Sequence, residues 1–138
     1  QDGVRLEMPV CVAYDGSPLA RKALRVAVTL LSQKREPLIV FLVADATSAE
    51  AASRRASRLH AQVDALIQEH ANRGWEDVAV DYRVLSASSV SSLIHSIQSE
   101  QVGILVLPSR ISVFDSQSDD GFLLKLLEAL DIPVLLVR

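Results

Sequence analysis

The chain has 138 residues, of which 49% are hydrophobic and only 4% aromatic, so it fits one domain with an aliphatic core and is not a disordered chain. Its formal net charge of −3 gives no electrostatic reason to expect binding to nucleic acid or to an anionic membrane surface. Its single cysteine, Cys11, excludes an intramolecular disulfide and a metal site with several cysteine ligands.

The first half of the chain alternates short apolar runs with longer amphipathic segments. Val10–Tyr14 is an uninterrupted apolar run, which is typical of a strand buried on both faces. Ser17 is a good N-cap and Pro18 suits the first helical position, so these residues predict a helix that runs to about Ser32. A second apolar run, Pro37–Val43, predicts the second strand.

The second half continues this alternation. Apolar residues at helical spacing predict a long helix from about Ser48 to Asn72. Val78–Leu85 alternates apolar and polar residues, which indicates a less buried strand at an edge of the sheet. The remaining predicted elements are a helix capped by Ser88 or Ser89, a strand Gly103–Pro108, a helix Phe122–Leu130 and a last strand Pro133–Val137.

The predicted order β-α-β-α-β-α-β-α-β defines the fold class. Because crossovers between parallel strands are right-handed, this order predicts an α/β domain with a doubly wound parallel sheet and helices on both faces. We expect one domain over residues 1–138, with residues 1–7 as a flexible N-terminal segment. No apolar run approaches the ~20 residues that cross a bilayer, and the first residues lack the apolar core of a signal peptide, so a cytoplasmic location is expected.

A ligand site is expected beyond the carboxyl ends of the strands, where the strand order reverses. The segments that should meet there are the Asp15-Gly16-Ser17 turn, the end of the second strand at Val43 and the loop after Pro108. Asp15 is either an acceptor for a ribose hydroxyl or for loop N–H groups, or simply the capping acid of its own turn, and the residues leave these interpretations open.

A resemblance to a known family rests on residues in this same turn and on the chain ending. The segment Asp15-Gly16-Ser17-x-x-Ala20-x-x-Ala23-Leu24-x-x-Ala27 resembles the opening signature of the universal stress protein family. The strand after that helix, the Val84 to Leu93 turn and the Ile132 to Val137 ending resemble the family as well, over about Met8 to Arg138. The resemblance implies a Rossmann-like sheet of five parallel strands in the order 3-2-1-4-5. It also implies adenine and ribose contacts at Ala13, Tyr14, Asp15 and Val43, and phosphate contacts at Ser109, Arg110 and Gly121.

The loop after the fourth strand departs from the family's nucleotide-binding pattern. ATP-binding members carry G-x-x-G-x9-G-[ST], in which glycines let backbone N–H groups approach the phosphates. Here the matching residues are Pro108-Ser109-Arg110-Ile111, nine residues, and then Gly121-Phe122. Pro108 has no N–H, and the β-branched Ile111 does not readily adopt positive φ. Three carboxylates in the loop would also repel a triphosphate: Asp115, Asp119 and Asp120.

These observations predict a universal stress type regulatory or interaction domain that is not an enzyme, does not bind ATP well and needs no cofactor or metal. One alternative is an ATP-binding member that hydrolyses ATP slowly, and another is a cytoplasmic regulatory domain of a larger transporter or sensor kinase. His60, His70 and His95 lie on predicted helices without zinc-ligand spacing, so they are predicted to be surface or boundary residues. Cys11 is predicted to be a buried core residue, because it lies in an apolar run.

The last strand is apolar throughout, and the implied strand order puts it at an edge of the sheet. An apolar edge strand invites pairing with another chain, so we predict a homodimer in which this strand pairs antiparallel with its copy. No nucleic acid and no direct membrane insertion are expected. The predicted interface residues are Pro133, Val134, Leu135, Leu136 and Val137.

Overall fold

The computed structural model describes residues 9–30, 38–44, 48–70, 79–85, 90–100, 102–109 and 126–138. The strands within these ranges are β1 (Val10–Tyr14), β2 (Leu38–Val43), β3 (Val80–Leu85), β4 (Ile104–Pro108) and β5 (Val134–Val137). The helices are α1 (Pro18–Leu30), α2 (Ala49–Glu69) and α3 (Val90–Ser99), and residues 126–129 are also helical. The predicted N-terminal segment, residues 1–7, lies outside the described residues.

The strands form one five-stranded sheet in the order β3-β2-β1-β4-β5, and all of its pairings are parallel. The predicted fold class and strand order are therefore confirmed. Val12 of β1 lies opposite Val40 of β2 on one side and Val106 of β4 on the other. β1 is thus the central strand, and the strand order reverses between β1 and β4.

The sheet separates two aliphatic core layers, because successive side chains of a strand point to opposite faces. Val12 of β1 packs on the face that α1 and α2 cover, whereas Cys11 packs on the face covered by Leu93 and Ile97 of α3. Cys11 is fully buried, as predicted, and burial raises the pKa of its thiol well above the usual value. The thiol therefore behaves as a small protonated core group.

Side-chain caps fix where α1 and α2 begin. The hydroxyl of Ser17 accepts a hydrogen bond from the backbone N of Ala20 at 3.1 Å, and α1 starts at Pro18 as predicted. The hydroxyl of Ser48 likewise accepts from the N of Ala51 at 3.1 Å. Each cap satisfies a backbone N–H that has no partner inside the helix.

β3 and β5 are the edge strands of the sheet, as the alternating pattern and the resemblance predicted. On β3, the guanidinium of Arg83 donates two hydrogen bonds, of 2.9 and 3.4 Å, to the carboxylate of Glu100 just beyond α3. On β5, the side chain of Leu135 is 38% exposed. Within the described ranges, no helix is both long and apolar enough to cross a membrane.

Candidate functional site

The turn after β1 is the centre of the predicted site. Asp15 follows the last residue of β1, is only 5% exposed, and accepts a hydrogen bond from the N of Ser17 at 3.0 Å through Oδ1. Gly16 has a φ of +87°, a conformation that favours glycine. A Cβ at Gly16 would lie 3.0 Å from Cδ2 of Leu59, so the turn also packs closely against α2. Asp15 therefore acts as the capping acid of its own turn.

The residues implied to contact adenine and ribose point to different faces of the sheet. Ala13 and Val43 are fully buried on the face that α3 covers. Tyr14 instead points into the layer between the sheet and the helices α1 and α2. Its hydroxyl donates a 2.9 Å hydrogen bond to Oε1 of Gln62. The side chain of Tyr14 is thus part of the core, and only its backbone is left for the carboxyl edge of the sheet.

Burial raises the pKa of Tyr14, and the Arg21 guanidinium beside its hydroxyl opposes this rise. The phenol consequently stays protonated at neutral pH and remains a hydrogen-bond donor to Gln62. This bond joins the end of β1 to the middle of α2, so it helps to hold the turn that follows β1.

The end of β4 is closed by hydrogen bonding to β5. Pro108 lies opposite Val137 in the sheet, and the N–H of Ser109 donates to the carbonyl oxygen of Val137 at 2.8 Å. Pro108 has no N–H and the N–H of Ser109 is already used, so neither residue offers a backbone donor to a phosphate. Arg110 and Gly121, the other implied phosphate contacts, lie outside the described residues.

The structure brings Asp15, Val43 and Ser109 to the same edge of the sheet. They lie at the carboxyl ends of β1, β2 and β4, and β1 is hydrogen-bonded to both of the other strands. Within the part of the chain that the structure describes, no group of three His, Cys, Asp or Glu side chains could hold a metal ion. Among the described residues of this edge, the turn after β1 is held by the hydrogen bond from Ser17 to Asp15, and Pro108 and Ser109 at the end of β4 offer no free backbone N–H.

The predicted histidines lie at the surface or its boundary, as expected. His60 and His95 are exposed, and His70 is half-buried with Nδ1 2.9 Å from the carbonyl oxygen of Leu66. His60, however, also lines a cavity of about 330 Å³ between α2 and β3, which the sequence did not predict. The signal that could have indicated it is a run of alanines and serines at helical spacing in the first half of α2.

The sheet is open, has five parallel strands and carries helices on both faces, and its strand order reverses beside the central strand. These features define a doubly wound α/β protein of the Rossmann-like class. The family model described as the universal stress protein family matches residues 8–138. The chain therefore belongs to the universal stress protein family, as its turn and ending predicted. No curated protein gives a significant match to the sequence.

Solved structures of this family share the fold at low sequence identity. A protein of the universal stress protein family from Burkholderia pseudomallei is 19% identical, with a TM-score of 0.66 and coverage of 95% of this chain and 96% of that chain. The universal stress protein from Archaeoglobus fulgidus in complex with dAMP is 15% identical, with a TM-score of 0.69 and coverage of 95% and 98%. A universal stress protein in complex with cAMP is 16% identical, with a TM-score of 0.63 and coverage of 95% and 97%.

Proposed function

We propose that the chain is a regulatory or interaction domain of the universal stress type that does not catalyse a reaction and does not bind ATP well. The observation that carries this proposal is the hydrogen bond from the N–H of Ser109 to the carbonyl oxygen of Val137. Together with Pro108, which has no N–H, it leaves the first two positions of the loop without a backbone donor for phosphate.

A triphosphate requires several such donors, because its negative charges must be matched by N–H groups or cations. In the sequence, the loop after β4 supplies Arg110 as a cation but also Asp115, Asp119 and Asp120 as anions. The three carboxylates outnumber the single cation, so the charge of the loop disfavours phosphate binding. The turn at Asp15 is retained.

The test is isothermal titration of the purified chain with Mg-ATP. At micromolar protein and sub-millimolar nucleotide, we expect no binding heat and no nucleotide that stays bound through purification. A dissociation constant near 1 μM, roughly −8 kcal/mol, would contradict the proposal. Such a result would favour the alternative of an ATP-binding protein with slow hydrolysis, which a phosphate-release assay would then measure.

A second candidate function is binding of an adenine nucleotide with a single phosphate. Two structurally similar universal stress proteins are complexed with dAMP and with cAMP, and each of these ligands carries one phosphate. One phosphate needs fewer donors than three, so the absent N–H of Pro108 and the engaged N–H of Ser109 weaken its binding less. Parallel titrations with AMP and ATP distinguish the two functions: binding of AMP alone supports the second candidate.

The proposal includes a homodimer that forms through β5. β4 is hydrogen-bonded to one side of β5, and β5 is an edge strand of the described sheet. Leu135 is 38% exposed on it, and an apolar edge strand favours pairing with a second copy. We also propose that the domain acts in the cytoplasm, by itself or as a regulatory part of a larger transporter or sensor kinase, without binding nucleic acid.

A further inference from the structure

The cavity beside α2 lies at the carboxyl half of the sheet, between the first half of this helix and the edge strand β3. Its volume is about 330 Å³. Leu42 of β2 and Val84 of β3 form its apolar base, and Val84 is 56% exposed. Cavities that hold small molecules begin at about this size and are mostly apolar with a few polar groups.

The space exists because α2 carries only small side chains where it faces this part of the sheet. The lining residues of the helix wall are Ala49, Ala52, Ser53, Ala56 and Ser57. Over the next two turns the helix carries Leu59 and Val63, which are buried against the sheet and fill the same layer. The change from small to large side chains along one helix leaves a gap at one end of the layer between α2 and the sheet.

Hydrogen-bonding groups are available at the wall of this cavity. Ser53 and Ser57 line it, and neither hydroxyl has a hydrogen-bond partner among the described residues. His60 lines it one turn further along α2, and its Nε2 lies 3.4 Å from Oδ2 of Asp64. Nδ1 of His60 has no partner in the described part of the chain, so it can donate to or accept from a ligand.

His60 is held in place by two contacts. Its ring centroid lies 3.8 Å from that of Tyr82 on β3, at an interplanar angle of 57°. The hydroxyl of Tyr82 donates to Oδ1 of Asp64 at 2.6 Å, while Oδ2 of the same carboxylate faces His60. The carboxylate of Asp64 therefore contacts both His60 and Tyr82, and it holds the two rings beside the cavity before any ligand binds.

The charges around the cavity indicate the kind of ligand. No Lys or Arg is among the lining residues, and the carboxylate of Asp64 lies next to the polar end, so an anion would be repelled there. A cation would find only Asp64, whose two oxygens already face Tyr82 and His60. An uncharged ligand is not repelled by Asp64 and does not need a free carboxylate.

We propose that this cavity binds a small, uncharged, mainly apolar molecule that carries one hydroxyl or amide group. Its apolar body would cover Leu42 and Val84, and its polar group would meet His60 and a serine hydroxyl. The site is separate from the nucleotide cleft, because none of Ala13, Asp15 or Ser109 lines it. The proposal therefore stands whether or not the chain binds a nucleotide.

The test uses 4-ethylphenol as the probe and ethylbenzene as its matched compound without the hydroxyl. Each is titrated into the ¹⁵N-labelled chain at neutral pH, and amide shifts are followed by NMR. Saturable shifts are expected for the backbone amides of Ala52, Ser53, Ala56 and Ser57. Loss of one hydrogen bond should weaken ethylbenzene by roughly fivefold relative to 4-ethylphenol.

Two variants and a control locate the binding. Ser57→Leu fills the cavity from an exposed helix position and should abolish the saturable shifts, whereas Arg58→Leu, the neighbouring exposed position outside the lining, should leave them unchanged. His60→Phe should bring the affinities of the two compounds closer together, because it removes the ring nitrogens and leaves only the serine hydroxyls as hydrogen-bond partners. A thermal melt of each variant checks that it folds.

Three outcomes overturn the proposal. One is a dissociation constant for 4-ethylphenol above about 5 mM, which corresponds to a binding free energy weaker than roughly −3.1 kcal/mol. Another is saturable shifts that centre on Asp15 and Ser109. The last is binding that persists unchanged in a folded Ser57→Leu chain.

Discussion

The hydroxyl of Tyr82 lies 2.6 Å from Oδ1 of Asp64, and this hydrogen bond joins the edge strand β3 to α2. Burial raises the pKa of Tyr82, and the bond to the Asp64 carboxylate raises it further, because the carboxylate favours the protonated phenol. The folded chain therefore holds the phenolic proton more tightly than the unfolded chain does.

The raised pKa of Tyr82 predicts that the free energy of unfolding falls in alkaline solution. The contribution of Tyr82 is fully present below the unfolded pKa of about 10 and is lost as the pH rises through that value toward the higher folded pKa. Urea unfolding from about pH 8 to about pH 11 should show the free energy of unfolding falling at the alkaline end. Tyr82→Phe should make this fall shallower without removing it, because the pKa values of Tyr14 and Cys11 are also raised. An identical pH profile in the variant would contradict the linkage.

Gly16 should be difficult to replace. Its φ of +87° is strained for other residues, and a Cβ there would lie 3.0 Å from Cδ2 of Leu59. We expect Gly16→Ala to lower the free energy of unfolding by about 1–3 kcal/mol. Ser17→Ala is the matched change in the same turn, and it should cost about 1 kcal/mol through the lost cap. Chemical denaturation measures both, and a neutral Gly16→Ala would show that the turn can rearrange.

Repair of the loop after β4 should restore nucleotide affinity if only the loop is defective. The variant combines Pro108→Gly, Ile111→Gly and Phe122→Ser, which returns glycines and a hydroxyl to the family's positions. Isothermal titration with Mg-ATP should then detect binding that the unmodified chain lacks. A control with Asp15→Ala added should bind less, because the turn after β1 would lose its capping acid. A folded triple variant without binding would show that the adenine half of the cleft is closed as well.

The proposed dimer should dissociate when a charged side chain is placed in its interface, the strand β5. Leu135→Lys places an ammonium group on an exposed position of β5 and should shift the chain from dimer to monomer in sedimentation experiments. Leu127→Lys is the matched control, since Leu127 is 49% exposed but lies outside β5. Sedimentation of the unmodified chain decides first: a monomer at about 100 μM would rule the dimer out.

The sequence was sufficient for the elements whose signals are local. Uninterrupted apolar runs are typical of strands buried on both faces, and β1 and β2 proved to be such strands. The Ser17-Pro18 pair fixed the start of α1, because capping and the preferred φ of proline depend only on neighbouring residues. The alternation in β3 likewise predicted an edge strand.

Features that depend on how distant elements pack together could not be predicted from the sequence. The direction of Tyr14 depends on which face of β1 meets Gln62 of α2, and the use of the Ser109 N–H depends on the register of β4 with β5. The cavity arises because the alanines and serines of α2 lie opposite Val84. As a pattern, the same residues only indicate the apolar stripe of a helix.

The central place of β1 has a consequence for synthesis of the chain on the ribosome. β1 precedes the other described strands in the sequence. On one side of it lies β2 and beyond β2 lies β3, and these two strands follow β1 in the sequence in that same order. That half of the sheet can form during translation, whereas the side of β1 that β4 covers must stay open until residues far later in the chain emerge. The nascent chain thus passes through a stage in which the apolar strand β1 is an unpaired edge of the partial sheet, and exposed apolar edges of this kind are prone to aggregation and are shielded by chaperones.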